Sequence, residues 1–138
     1  MRKLSLAAAI AAIALLLCGF AYKGARSYAE LAQMFVAQGR YDDAVTFFDK
    51  AIAMEPKNPE LYQHRAFFYL KLERFDLGLR DLTTVIELQP DKAEGYLSRG
   101  LVHSDRNQRG MAEADFRKAC ELGDTSGCAF LTQSERQP

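Results

Sequence analysis

Two cysteines eight positions apart, Cys120 and Cys128 in the stretch "KACELGDTSGC", hold the most reactive side chains of this chain. A close pair of thiols makes a redox couple, half of a metal site or a covalent staple. A redox couple is more often C-x-x-C at a helix start. Zinc would need two further ligands, and His64 and His103 have no spacing that brings them to the cysteines. In one unbroken helix the two Cα atoms would stand about 12 Å apart, against roughly 4.4–6.8 Å for a bridge. Gly123, Asp124, Thr125, Ser126 and Gly127 interrupt the helix, so the chain can reverse there. Cys120 then lies late on one helix and Cys128 at the start of a short final helix, Gly127 to about Arg136.

The compartment bears on which chemistry applies, and the N-terminus speaks to it. After MRK come nineteen residues without a charge, LSLAAAIAAIALLLCGFAY. A basic start followed by an apolar run reads as a secretory signal over residues 1–21. Gly19 and Ala21 are small residues placed for a cut before Tyr22. Leu15-Leu16-Leu17-Cys18-Gly19 also looks like a lipoprotein signal that would acylate Cys18, although Leu17 stands where that pattern wants a small residue. As an uncleaved anchor the run would span about 28 Å, enough for a hydrocarbon core. Each version expects the rest of the chain to be extracytoplasmic, periplasmic or secreted, and membrane contact to be confined to this segment. Thiols there are expected to be oxidised.

The whole chain carries 18 basic and 18 acidic residues; without Arg2 and Lys3, in residues 1–21, 16 basic face 18 acidic, a net of −2. That leaves no basic field for nucleic acid. No Ser–His constellation has the strand-turn-helix setting of a hydrolase: Ser98 and Ser104 are ordinary helix positions, and His103 falls where repeats carry a packing aromatic. Neither catalysis nor a cofactor is expected.

What positions these residues is a 34-residue period. Tyr28, Ala32, Gly39, Tyr41, Ala44, Phe48, Ala51 and Pro56 recur as Tyr62, Ala66, Glu73, Phe75, Gly78, Leu82, Val85 and Pro90. A second shift gives Tyr96, Gly100, Asn107, Arg109, Ala112, Phe116, Ala119 and Asp124. Large recurs with large and small with small, at helical spacing within each half. Each repeat is two antiparallel helices, with Gly39 and Asn107 at joints that favour a positive φ. Pro56 and Pro90 stop the second helices. At the seventh and twenty-third positions Leu31 goes with Phe47, Arg65 with Asp81 and Arg99 with Asp115. The last two pairs are expected to be buried ion pairs between helices, with Arg99–Asp81 as an alternative across the repeat boundary.

These residues resemble the tetratricopeptide repeat over residues 25–126, in repeats 25–58, 59–92 and 93–126. The resemblance weakens toward the third, where Arg109-Gly110 replace the usual aromatic turn and Asp124 replaces proline. It implies an all-α fold, a right-handed superhelical array of three helical hairpins, with residues 127–138 as a capping helix and tail. "ACELGDTSGC" also looks like the joint between Sel1-like repeats, and that likeness implies that Cys120 and Cys128 are bridged.

In the tetratricopeptide fold the first helices line a concave groove. The resemblance places there Gln33 and Val36 of repeat one, with Arg26, Ala29 and Ala37. Repeat two gives Glu60, Gln63, Phe67, Leu70 and Lys71, and repeat three gives Glu94, Leu97, Leu101, Ser104 and Asp105. An apolar middle with an acidic side suits a protein or peptide ligand that is amphipathic and partly basic. The groove lacks the lysine and asparagine pattern of members that clamp a C-terminal carboxylate. The other expectations are self-association through the same apolar residues, recruitment through the N-terminal helix, and a thiol-disulfide oxidoreductase built on Cys120 and Cys128. The leading expectation is an exported adaptor in a bacterial envelope assembly.

Overall fold

The computed structural model describes residues 24 to 135, with side chains to residue 133. The expectations for residues 1–21, with the lipidation of Cys18, lie outside these residues. Every regular element among them is a helix. They are α1 (24–37), α2 (Tyr41–Met54), α3 (Pro59–Lys71), α4 (Phe75–Leu88), α5 (Ala93–Asp105), α6 (Arg109–Glu121) and α7 (Thr125–Glu135). Among them no helix is long and apolar enough to cross a membrane. The chain divides after Pro56 into two compact units. The first holds the α1–α2 hairpin, and the second holds α3–α4, α5–α6 and α7.

The hairpin joints share one backbone device. Gly39, Glu73, Asn107 and Gly123 take φ of 72, 57, 57 and 92°. After each, the next N–H returns to a carbonyl of the finished helix: Arg40 to Phe35 at 2.9 Å, Arg74 to Tyr69 at 2.8 Å, Gln108 to His103 at 2.8 Å and Asp124 to Ala119 at 3.0 Å. These are Schellman closures, which satisfy orphan carbonyls only when the penultimate residue is left-handed. The first three recur at the 34-residue period; the fourth does not, and it changes the end of the molecule. A proline-type repeat boundary there would have delayed the next helix. Asp124 instead caps α7, accepting from the Gly127 N–H at 2.7 Å. The final helix therefore starts at Thr125, two residues before the expected Gly127, and Gly127 lies inside it. The same capping logic starts α3, where Asn58 accepts from the Glu60 N–H at 3.2 Å ahead of Pro59.

Small residues set the helix separations. Ala32, Ala44 and Ala51 are fully buried around Phe48 in the first unit, and Ala66, Ala112 and Ala119 hold the matching places in the second. At Gly100 a Cβ would sit 2.8 Å from the Phe116 ring, and at Gly127 it would sit 2.8 Å from the Ala119 Cβ and 3.0 Å from the Cys120 nitrogen. The second contact brings α7 onto α6 closely enough that the Cys120 and Cys128 Cα atoms stand 4.7 Å apart with their sulfurs at bonding distance. Phe130 of α7 stacks on Phe116 at 5.1 Å.

Glu73 is the costly member of the joint series, because a side chain with a Cβ is strained where Gly39 is not. Glu73→Gly should raise the unfolding free energy by about 0.5–1 kcal/mol. Urea denaturation checks this, and an unchanged midpoint would mean that the joint relaxes at no cost.

Candidate functional site

Within the second unit a cleft of about 620 Å³ opens between α3 and α5, a size typical of binding pockets. Its floor is the core itself: Ala66, Leu82 and Val102, buried together and backed by Leu70, Phe75 and Leu79. One wall is Glu60, Gln63, His64, Phe67 and Leu70 of α3; the other is Glu94, Ser98, Leu101 and Asp105 of α5. Phe67 is 50% exposed and Leu101 38%. Large apolar side chains held open beside a packed core are the informative departure from ordinary burial.

The walls are held by arginines that point away from the cleft residues next to them in sequence. Arg65 donates from Nε and Nη2 to the two oxygens of Asp81, both at 2.7 Å. Arg99 does the same to Asp115 at 2.8 Å, and its Nη1 donates to Thr83 Oγ1 at 3.1 Å. The cross-boundary contact of Arg99 is thus with Thr83, two residues beyond the Asp81 of the expected alternative. Asp81 is 4% exposed and Asp115 8%, with Arg65 at 17% and Arg99 at 23%. The hydrogen-bonded Asp115 carboxylate holds the Arg99 guanidinium above its ordinary range, while burial pulls the other way. In the first unit the equivalent place is aromatic: Phe47 stacks on Phe35 at 5.1 Å and faces Tyr28 at 6.2 Å.

The charge in the cleft is one-sided. Glu60, Glu94 and Asp105 line it, and no lysine or arginine does. Gln63 Nε2 donates to Glu94 Oε1, a bond that joins the two walls and orients the carboxylate. Glu60 and Glu94 lie in the first turns of their helices, where the helix dipole favours an acid. Asp105 is the last residue of α5, where the same dipole opposes a carboxylate by about 0.3–1 kcal/mol.

The cleft brings some of the residues expected in the groove together and leaves others out. Glu60, Gln63, Phe67, Leu70, Glu94, Leu101 and Asp105 come together. Lys71 and Leu97 do not line the cleft: Lys71 is exposed, its ammonium 5.3 Å from the Phe67 ring centroid, and Leu97 is half-buried outside it. Gln33 and Val36 belong to the first unit, Gln33 exposed and Val36 half-buried. His64 and Ser98 were missed, though each follows an acid, Glu60 or Glu94, by four residues, the spacing that puts two side chains on one helix face. His103 sits at the α5–α6 joint, its Nδ1 2.7 Å from Gln108 Oε1.

Models described as tetratricopeptide repeat match residues 35–101, 2–59 and 93–122. The second begins inside the stretch read as a signal. The chain is 32% identical over 98 residues to the TPR repeat-containing thioredoxin TDX of Arabidopsis thaliana, covering 71% of this chain and 26% of that one. It is 34% identical over 87 residues to Hsp70-Hsp90 organizing protein 2 of the same plant, covering 63% and 15%. The chain thus spans about a quarter or less of these curated relatives. Among solved structures it is similar to the second TPR domain of the human RPAP3 protein in complex with the HSP70 peptide SGPTIEEVD. That likeness has a TM-score of 0.72 at 23% identity and covers 85% of this chain and 99% of that one.

Arg65→Ala should cost about 3 kcal/mol, because it leaves the Asp81 carboxylate buried and alone. The paired replacement Arg65→Met with Asp81→Leu should return to within about 1 kcal/mol of the parent. Chemical denaturation of the three proteins checks both; a loss below about 0.5 kcal/mol for Arg65→Ala would mark an ordinary surface pair.

Proposed function

The chain belongs to the tetratricopeptide-repeat family, and on that premise we propose that it is a non-catalytic adaptor whose α3–α5 cleft holds a segment of a partner protein. The observation that carries this is the half-exposed Phe67 beside Leu70 and Leu101, standing over a packed floor with polar groups at both ends. Such a surface lets a peptide bury an apolar anchor while its polar groups stay paired at the rim. The solved neighbours include a TPR domain bound to an HSP70 peptide and another bound to an HSP90 peptide, SRMEEVD; those ligands belong to those proteins. A carboxylate-ended tail of that kind would meet Glu60, Glu94 and Asp105 here, with no lysine or arginine to receive it.

The proposal extends to place. Residues 1–21 act as a signal, a lipoprotein signal acylated at Cys18 or an anchor, and the repeats work outside the cytoplasm in an envelope assembly. There Cys120 and Cys128 form a structural bridge that clips α7 onto α6, and its short loop contributes about 2–3 kcal/mol in the chain-entropy account.

Two measurements test these statements separately. Phe67→Ser with Leu101→Ser should abolish capture of the native partner by the tagged chain while the helical circular-dichroism signal stays; capture that survives would place the partner elsewhere, with the N-terminal segment or a second copy as the next surfaces. Intact mass of the protein from its host, before and after reduction, should show a chain that begins at Tyr22, at an acylated Cys18 or, for an anchor, at Met1, and that takes up two hydrogens on reduction. A full-length chain with free thiols would overturn the exported, stapled reading.

A further inference from the structure

The proposed cleft has its charge at the two ends and its apolar surface between them. Glu94, oriented by Gln63, and Glu60 stand in the first turns of α5 and α3; Asp105 closes the other end. Phe67, Leu70 and Leu101 lie in the intervening register, over the floor of Ala66 and Leu82. From Glu94 to Asp105 is eleven residues of one helix, about 16 Å along its axis. The acids at the start have a local reason to be there, since both favour the positive end of a helix. Asp105 has the opposite situation, and among the described residues no hydrogen bond or ion pair holds its carboxylate. An acid maintained against its own helix dipole at the mouth of an apolar cleft is complementary to a cation brought by a ligand.

We infer that the occupant of this cleft is an extended peptide carrying a lysine or arginine at each end of an apolar centre, the two cations four residues apart. This rests on the reading of the cleft as a peptide groove and adds which peptides it takes. The spacing follows from the strand: side chains alternate faces, so both cations reach the cleft only at an even separation. Four steps of about 3.3 Å leave about 3 Å of the span between the acids to the long cationic side chains. The extended form is the shorter solution: a helix needs eleven residues between two cations about 16 Å apart on one face, where a strand needs four. Between the cations the middle residue shares their face and meets Phe67 and Leu101, while its two neighbours face solvent. Lys71, resting over the Phe67 ring outside the lining, leaves both acidic ends facing the ligand.

The test is fluorescence anisotropy of the purified chain with labelled pentapeptides. Lys-Ser-Leu-Ser-Lys should bind at least tenfold tighter than Glu-Ser-Leu-Ser-Glu or the neutral-ended peptide, and tenfold tighter than one with both lysines at the same end. Its affinity should fall as salt rises. Glu94→Gln and Asp105→Asn should each weaken it about fivefold, and Glu94→Lys with Asp105→Lys should reverse the preference toward the acid-ended peptide. If the neutral- or acid-ended peptide binds the parent as well, while Phe67→Ser abolishes that binding, the charge inference is wrong and the groove stands. Tighter binding of a helical peptide with lysines eleven apart would overturn the extended form. Should no peptide of any charge bind, with Phe67→Ser changing nothing, the groove reading falls as well.

Discussion

The cleft depends on what α4 does for the two helices beside it. Arg65 ties α3 to α4 through Asp81, and Arg99 ties α5 to α4 through Thr83 while its fork grips Asp115 of α6. Each guanidinium sits beside cleft residues in sequence, Arg65 between His64 and Ala66, Arg99 after Ser98. Each wall is therefore fixed to its hairpin partner by a planar, two-point hydrogen bond to an almost wholly buried carboxylate. The single Arg99–Thr83 bond joins α5 to the helix that holds α3. Apolar contacts tolerate sliding, but a fork on a carboxylate has one good geometry. A buried ion pair of this kind adds little net stability over a hydrophobic pair. Its effect is to fix register, which matters where two helices must stay apart.

Keeping them apart is otherwise unfavourable. Phe67 and Leu101 would gain by closing onto each other, at roughly 25 cal/mol for each square ångström buried. The floor resists this, because Ala66, Leu82 and Val102 are already packed against Leu70, Phe75 and Leu79. The Gln63–Glu94 bond closes one end and leaves the apolar middle open. The first hairpin shows the contrast. Leu31 and Phe47 replace the arginine–aspartate pair there, and the aromatic rings of Tyr28, Phe35 and Phe47 fill that region with direct contacts.

Much of this was legible as repetition. The period placed every hairpin, and the paired exchange of Leu31 and Phe47 for Arg65 and Asp81 pointed to a helix-to-helix partnership before any geometry. The left-handed joints were legible at Gly39 and Asn107 and hidden at Glu73, because a glutamate gives no signal of positive φ; only its place in the period does. The last joint misled, since Gly127 reads as a helix breaker. In the structure it is a helical residue whose missing Cβ admits Ala119 and the Cys120 backbone, and Asp124 starts the helix. The groove was legible as a face but not as a volume. His64 and Ser98 belong to it by the same four-residue spacing that was applied elsewhere. Leu97 and Lys71 fall outside because which side chains meet depends on how two helices are rotated, which one helix's pattern does not contain.

The acids carry the remaining argument. Glu60 and Glu94 are doubly explained, as helix starts and as cleft walls, so neither alone points to a ligand. Asp105 is explained by neither helix propensity nor dipole, and it sits where a repeat of this family needs only to end a helix before Asn107 turns the chain. Had stability alone shaped the position, a lysine or arginine there would have complemented α5 and would also have offset part of the cleft's negative charge. The unfavourable end-charge and the one-sided lining are the same fact seen from the helix and from the cleft. A charge that a helix disfavours persists when something outside the helix answers it, and here the open side of Asp105 faces the place a ligand would occupy.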